Sequence, residues 1–368
     1  MHLPRTRNNR KHQFLRYVVL LISLNWSTLT GASLPALNIA ADEISLSGLS
    51  AGAFMAVQFQ VAHAGLIKGV GAIAGGPYWC AQNSLLRATS QCSCTGLQKC
   101  AVDANSADID TLTATTRRWA TEARIDDPAK MARQRVYLLS GQRDNKVPPA
   151  IMVQLRDYLY RFIPPSNIAF EQLDQAGHTL PTKDFGGACA ESEIPFLGRC
   201  NFDAAGNLLR WIYGPLNPPD NTIKENLGKL QSFDQRPYID RHLFRWLDGL
   251  ADTGWIYIPA TCKVGSIGPA CRLHIALHGC KQSGEQQNSA PPFTQHAGYN
   301  TWAENNRIVV LYPQATSIPM LNPFACWDWW GYTDKNYATR EGVQIKALRK
   351  MIEHLVDKPL KPTHPTPL

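Results

Sequence analysis

A GxSxG pattern, GLSAG, occupies residues 48–52. In serine hydrolases this pattern forms a sharp turn between a strand and a helix, and its glycines leave room for neighbouring backbone while the serine projects as a nucleophile. The string also occurs by chance in ordinary loops. Here residues 44–49 have the pattern of a short strand, and residues 53–63 carry an apolar face at helical spacing. This context predicts that Ser50 is a catalytic nucleophile.

A serine nucleophile requires a base, and the base requires an acid that orients it. Asp144 lies in the segment GQRDNKVP after strand-like residues 136–140, and His178 lies in AGHTLP after strand-like residues 168–173. Taken singly, Asp144 could be a turn former and His178 a surface loop residue. Together they complete the chain order Ser, Asp, His of α/β-hydrolases, so we predict a triad of Ser50, Asp144 and His178.

The second donor of an oxyanion hole normally comes from a loop upstream of the nucleophile, but only a leader and one short strand precede Ser50. The segment LHGC at residues 277–280 follows a predicted strand at 273–277 and is the candidate, with Ala51 as the other backbone donor. A plain strand-ending turn is the alternative for His278 and Gly279. If the hydrolase interpretation holds, the chain is circularly permuted, and its closing helix at 341–356 would precede the elbow strand in an unpermuted relative.

Apolar runs bounded by glycine or loop residues alternate with helical patterns along the chain. The strand-like runs lie at 44–49, 70–74, 136–140, 168–173, 255–259, 273–277 and 308–312. Continuous apolar runs of this kind are typical of buried parallel strands. The sequence therefore predicts an α/β fold, a permuted α/β-hydrolase with a mostly parallel sheet and helices on both faces.

The first sixteen residues contain five basic residues and no acidic one, and an apolar run at 17–24 follows before the small residues at 31–33. This is the order of a secretory signal peptide, and the run is too short to span a bilayer. An uncleaved membrane anchor is the alternative. We expect a signal peptide at 1–33, one catalytic domain at 34–357, a Pro-rich tail at 358–368, and a secreted protein in the extracellular space or the periplasm.

Composition supports a globular protein without a nucleic-acid partner. Of 368 residues, 44% are hydrophobic and 18% are charged, which suffices for a large core and excludes disordered and coiled-coil classes. Loss of the basic leader lowers the formal net charge from +8 to +3, so little positive charge remains to attract nucleic acid. We expect a monomer that is free of the membrane after signal cleavage.

The ten cysteines fit an oxidising compartment, because none shows the spacing of a zinc site and their number is even. We therefore expect disulfides, no metal and no cofactor. Two pairs flank short loops and a third spans a longer stretch: Cys189 with Cys200, Cys262 with Cys271, and Cys280 with Cys326. The cluster of Cys80, Cys92, Cys94 and Cys100 allows three pairings, and the sequence leaves them open.

The motifs together resemble those of the extracellular poly(3-hydroxybutyrate) depolymerases of the permuted, single-domain type. The resemblance covers nearly the whole chain after the leader and rests on GLSAG, GQRDNKVP, AGHTLP, LHGCKQS at 277–283 and ACWDWWGY at 325–332. It implies a secreted serine esterase that cleaves a solid polyester or its 3-hydroxybutyrate oligomers. It also implies Ser50, Asp144 and His178 as triad, with Ala51 and Cys280 as oxyanion donors.

No separate polymer-binding domain is evident in the sequence, so adsorption would fall to the catalytic domain. Trp327, Trp329, Trp330 and Tyr332 crowd one short segment, and such rings can stack on methyl-bearing polyester units. We predict that these four bind substrate, although tryptophan is more often part of a core.

Two other functions fit the same residues. An esterase that removes feruloyl or acetyl groups from plant polysaccharide would use the same triad with a different cleft. A catalytically inactive surface-binding relative would keep the fold, but the intact set of Ser50, Asp144 and His178 argues against it.

Overall fold

The strands and helices are those of a computed structural model that describes residues 1–2, 32–220, 227–240, 247–284 and 290–356. Most of the predicted signal peptide and the whole predicted tail lie outside these residues. The strands are β1 (Ile39–Leu49), β2 (Gly69–Ile73), β3 (Arg135–Gly141), β4 (Ile168–Leu173), β5 (Leu180–Thr182), β6 (Gly187–Ala188), β7 (Leu197–Arg199), β8 (Lys229–Asp234), β9 (Thr253–Ile258), β10 (Cys271–Leu277) and β11 (Ile308–Tyr312). The helices are α1 (Ala51–Ala62), α2 (Leu85–Ser90), α3 (Ile109–Thr121), α4 (Pro149–Leu159), α5 (Ala204–Tyr213), α6 (Pro292–His296), α7 (Tyr299–Asn306) and α8 (Val343–Leu355).

In the described residues, eight strands form one sheet in the order β4-β3-β2-β1-β10-β11-β9-β8. The six strands from β4 to β11 pair in parallel, and β9 and β8 close one edge in antiparallel pairs. Every residue of β2 and β11 is buried, as the continuous apolar runs indicate. The predicted mostly parallel sheet is confirmed. The sequence analysis missed β8, the small sheet of β5, β7 and β6, and several helices between the predicted segments.

Helix α1 is buried on every side rather than along one face as its sequence pattern indicates. Its two glutamines donate hydrogen bonds inside the protein, Gln58 to the carbonyl of Asp328 at 2.9 Å and Gln60 to Gln134 at 2.7 Å. Phe54 of α1 stacks on Trp329 with ring centroids 4.1 Å apart. The segment around residues 327–333 therefore covers the helix that follows the GxSxG turn.

The chain order of the sheet is permuted as predicted. Strand β10, which pairs with β1, and its neighbour β11 come after the segments of Asp144 and His178 in the sequence. The end of α8 meets the chain just before β1, where the Leu37 N–H donates to the carbonyl of Leu355 at 3.2 Å and Leu37 bridges Val356. A short link between these residues would restore the usual order, which is why the rearrangement leaves the core intact.

All described residues from 32 onward belong to one compact unit. Within them, no helix has the length and apolar character required to cross a bilayer.

Candidate active site

Ser50 stands alone between β1 and α1, at a φ of 56° and a ψ of −123°. Positive φ is rare for a residue with a side chain and marks a turn that its surroundings enforce. A Cβ added to Gly48 would lie 2.2 Å from the carbonyl carbon of Gly52, and one added to Gly52 would lie 2.2 Å from the carbonyl oxygen of Leu277. Both glycines are therefore required, and the turn presents Ser50 at the carboxyl end of a central strand.

Asp144 and His178 are in direct contact. His178 Nδ1 lies 2.8 Å from Asp144 Oδ2, and both side chains are buried. The other oxygen of Asp144 accepts the N–H groups of Lys146 and Val147, each at 2.8 Å. An ionised carboxylate only accepts, so Nδ1 donates and Nε2 of His178 is left as an acceptor. This is the tautomer that a general base needs.

The loop of His178 is held over the end of β3, two strands from β1. A Cβ on Gly141 would lie 2.4 Å from the carbonyl oxygen of Ala176, and the His178 N–H donates to Ser192 Oγ at 2.8 Å. Among the described residues, no hydrogen bond joins Ser50 to His178. Such a bond is often long before substrate binds. The structure thus joins Asp144 to His178 and places Ser50 at the same edge of the sheet.

The LHGC segment follows β10, the parallel neighbour of β1, and so reaches the same edge. A Cβ added to Gly279 would lie 3.4 Å from Ser50 Cβ and from the carbonyl oxygen of Leu49. In the described part of the chain, the N–H groups of Ala51 and Cys280 donate to no protein acceptor. Two unused backbone donors beside a serine are what a developing oxyanion requires.

All ten cysteines form disulfides, and the three predicted pairs are confirmed. In the cluster left open, Cys80 pairs with Cys92 and Cys94 with Cys100. The bond between Cys280 and Cys326 ties the LHGC segment to the tryptophan-rich segment. The Lys281 N–H reinforces this tie by donating to the carbonyl of Phe324 at 2.7 Å.

The tryptophan-rich segment is largely core. Trp327 is 0% exposed and Trp329 is 6% exposed, with Trp329 stacked on Phe54. The expectation that these two rings offer surface to a polymer is therefore wrong, because they cover α1 instead. Trp330 and Tyr332 are partly exposed and pack on each other at 4.8 Å between ring centroids, so their role in substrate binding stays a prediction.

Asp328, which the sequence analysis missed, organises this segment from inside. One carboxylate oxygen accepts the N–H groups of Gly331 at 2.7 Å and Tyr332 at 3.0 Å, and the other accepts the N–H of Thr333 at 2.9 Å. An acid three to five residues before Gly, Tyr and Thr in a turn was the available signal. Burial raises the pKa of Asp328 to about 6, against the opposing effect of these hydrogen bonds.

No group of three potential metal ligands occurs among the described residues.

Two known proteins are similar to this chain over most of its length. The poly(3-hydroxybutyrate) depolymerase of Delftia acidovorans is 39% identical over 340 residues, covering 91% of this chain but only 64% of that protein, so the chain spans just under two thirds of its length. The polyhydroxybutyrate depolymerase of Talaromyces funiculosus is 34% identical over 356 residues, covering 92% of this chain and 97% of that protein. No protein-family profile matches the chain.

Two solved structures that match this chain are also those of PHB depolymerases. The crystal structure of the PHB depolymerase from Penicillium funiculosum has a TM-score of 0.77 and 34% identity, covering 88% of this chain and 99% of that chain. A serine-to-alanine variant of a PHB depolymerase in complex with an R3HB trimer matches with the same values. The predicted permuted α/β-hydrolase fold is thereby confirmed.

The titration of Asp328 gives a test of its burial. A carboxyl whose folded pKa is raised favours the folded state below its unfolded pKa near 4, and this contribution is lost as pH rises through about 6. The unfolding free energy of the parent relative to Asp328→Asn should therefore be greatest near pH 4 and decline toward pH 7. Denaturant unfolding across this range measures it. The control is Glu341→Gln, which removes an exposed carboxylate that pairs with Lys346. A parent–variant difference that rises with pH would contradict the prediction.

The disulfide between Cys280 and Cys326 should support turnover. Replacing both residues by Ser frees the segment that carries the Cys280 N–H, and loss of one oxyanion donor costs roughly 10² to 10³ in turnover. We expect kcat on a soluble ester to fall toward that limit. The matched control is Cys262→Ser with Cys271→Ser, which breaks a disulfide at the other end of β10. Equal losses of kcat in the two double variants at similar melting temperatures would show that the brace is unnecessary.

Proposed function

Since this chain belongs to the poly(3-hydroxybutyrate) depolymerase family, we propose that it is a secreted serine esterase that hydrolyses poly(3-hydroxybutyrate) or its oligomers. The observation that carries the proposal is the convergence at one sheet edge of three features. They are the strained Ser50, the Asp144–His178 pair and the backbone N–H groups of Ala51 and Cys280, which have no acceptor among the described residues. The pairing of all ten cysteines supports export to an oxidising compartment.

The first half of the reaction forms an acyl-enzyme. Ser50 Oγ attacks the ester carbonyl carbon while Nε2 of His178 takes the hydroxyl proton. Asp144 keeps the imidazole in the required tautomer and stabilises the imidazolium that forms. The carbonyl oxygen becomes an oxyanion that accepts hydrogen bonds from the N–H groups of Ala51 and Cys280. When the intermediate collapses, His178 gives its proton to the departing alkoxide, and a polyester chain with a free hydroxyl end leaves.

The second half releases the acyl group. His178 removes a proton from water, the resulting hydroxide attacks the acyl-enzyme carbonyl, and the same two N–H groups stabilise the second oxyanion. The proton held by His178 returns to Ser50 Oγ as the ester bond to the enzyme breaks. The products are one hydroxyl end and one carboxylic acid for each ester cleaved, and the enzyme returns to its starting state.

We propose that exposed apolar side chains on two loops beside the site together form the surface that a solid polyester meets. Four such side chains are named the apolar rim: Ile194, Met320, Leu321 and Phe324. Gln282 donates to the carbonyl of Pro195 at 2.7 Å, and the Lys281 N–H donates to that of Phe324, so both loops of the rim are anchored directly after Cys280. Phe196, beside the first loop, meets the His178 ring edge-on at 6.0 Å. The rim rather than Trp327 or Trp329 is therefore the adsorbing surface that we propose.

Loss of the nucleophile should abolish ester hydrolysis. Ser50→Ala removes the attacking oxygen, and Asp144→Asn should cost on the order of 10⁴ in rate because the imidazole loses its tautomer control. The measurement is release of p-nitrophenol from p-nitrophenyl butyrate together with clearing of a poly(3-hydroxybutyrate) suspension. Both variants should melt close to the parent temperature.

The control for this test is Ser140→Ala, which removes a buried hydroxyl near the end of β3 that has no hydrogen-bond partner in the described part of the protein. It should keep activity within tenfold of the parent. Turnover by Ser50→Ala within tenfold of the parent would end the triad hypothesis. Hydrolysis of methyl ferulate with no clearing of the polymer suspension would instead identify a feruloyl esterase.

The apolar rim should matter for polymer but not for a small ester. Burial of an exposed apolar side chain contributes about 1.5 to 3 kcal/mol when complete, so Phe324→Ser or Leu321→Ser should weaken film adsorption about fivefold or more. Turnover of p-nitrophenyl butyrate should stay close to that of the parent, because the triad is unchanged. The control is Ile267→Ser. Ile267 is fully exposed and lies just before β10, at the end of that strand away from the site. Equal film erosion by all three variants and the parent would move adsorption to another surface.

A further inference from the structure

We propose that His278 is a positioning residue that holds the peptide group between Gly279 and Cys280, so that the Cys280 N–H points at the oxyanion. The inference rests on the hydrolysis proposed above. The His278 side chain takes no part in the proton transfers of that reaction, although it is fully buried beside the site.

Both ring nitrogens of His278 are occupied. Nε2 lies 3.1 Å from the backbone nitrogen of Ala315, and Nδ1 lies 2.7 Å from the carbonyl oxygen of Gly279. Because a backbone N–H can only donate, Nε2 must be the unprotonated acceptor, and Nδ1 must carry the proton and donate it to Gly279. Burial also lowers the pKa of His278 to about 4, so the ring is neutral near pH 7. His278 therefore cannot serve as a second base or a metal ligand without giving up one of these bonds.

The carbonyl held by His278 is covalently coupled to the oxyanion donor. The oxygen of Gly279 and the N–H of Cys280 belong to one planar peptide group and, in the trans form, point in opposite directions. A hydrogen bond that fixes the oxygen therefore fixes the direction of the N–H. Without it, rotation of this peptide plane would turn the donor away from the serine.

Gln282 holds the other side of Gly279. Its Oε1 accepts the Gly279 N–H at 2.6 Å, and its amide donates to the carbonyl of Pro195 at 2.7 Å. The two peptide groups that flank Gly279 are thus fixed by the buried side chains of His278 and Gln282. Gly279 lies directly against Ser50, since a Cβ on it would be 3.4 Å from Ser50 Cβ. Ala315, the anchor of the imidazole, is itself held by Ser283, whose hydroxyl donates to its carbonyl at 2.6 Å. The motif LHGCKQS therefore contains the donor and the three side chains that fix it.

Two isosteric variants separate positioning from simple stability. His278→Asn retains a donor near the place of Nδ1 but loses the bond from Ala315, whereas His278→Gln retains an acceptor near Nε2 but loses the bond to Gly279. Each variant keeps one of the two hydrogen bonds, so we expect similar melting temperatures. On p-nitrophenyl butyrate, His278→Gln should lower kcat by about 10- to 100-fold with KM within about twofold, and His278→Asn should lower kcat much less, because only a lost donor costs 10² to 10³.

A second readout uses a trifluoromethyl ketone that adds to Ser50 as a hemiketal. Its oxyanion occupies the same site, so its inhibition constant should rise in proportion to the loss of kcat in His278→Gln while KM stays unchanged. Equal losses of kcat in the two variants, or losses that follow melting temperature, would overturn the inference.

If neither His278 variant folds, Gln282→Met decides the question, since it keeps the side-chain volume but releases the Gly279 N–H. Lower kcat with unchanged KM supports the positioning of Gly279 by His278 and Gln282, and unchanged kcat overturns it. Absence of ester hydrolysis by the parent protein would instead be a failure of the proposed function, which these measurements distinguish from a failure of the positioning alone.

Discussion

The site depends on the close approach of the first turn of α1 to the end of β10. A Cβ on Gly52 would lie 2.2 Å from the carbonyl oxygen of Leu277 and 2.5 Å from that of His278, so only glycine permits the contact. Through it, the serine turn and the LHGC segment share one small volume, although 227 positions separate Ser50 from Leu277 in the sequence. The two proposed oxyanion donors, from Ala51 and Cys280, converge for the same reason.

Local patterns were sufficient to predict the parts of the site that stand at strand ends. Ser50, Asp144 and His178 each follow an apolar run and lie in a glycine-containing turn, and both signals are readable within about ten residues. The pairing of Cys280 with Cys326 could be predicted because four of the other cysteines flank short loops in pairs and the remaining four cluster within residues 80–100. The parallel sheet follows from the same continuous apolar runs, whose predicted ends lie within two residues of the observed ones except at the start of β1, which begins at Ile39 rather than at residue 44.

What the sequence did not predict depends on contacts between distant segments. Trp327 and Trp329 have the same composition signal whether they cover a helix or meet a polymer, and only the packing against α1 decides between the two. Asp328 reads as an ordinary polar residue, and the LHGC motif gives no role to the His278 side chain, until the backbone partners of both residues are known. The small sheet of β5, β7 and β6 has strands of two or three residues, which is too short for any periodicity to show.

The meeting of Leu37 with Val356 has a practical consequence. This contact lies before the start of β1, whereas Ser50 follows its last residue, so the two points are separated by the length of an eleven-residue strand. At about 3.3 Å per residue, that length is roughly 35 Å. A surface support or a fused module attached beside Leu37 or Val356 would sit at the opposite end of β1 from Ser50. The protein can therefore be immobilised with Ser50 facing outward toward a film.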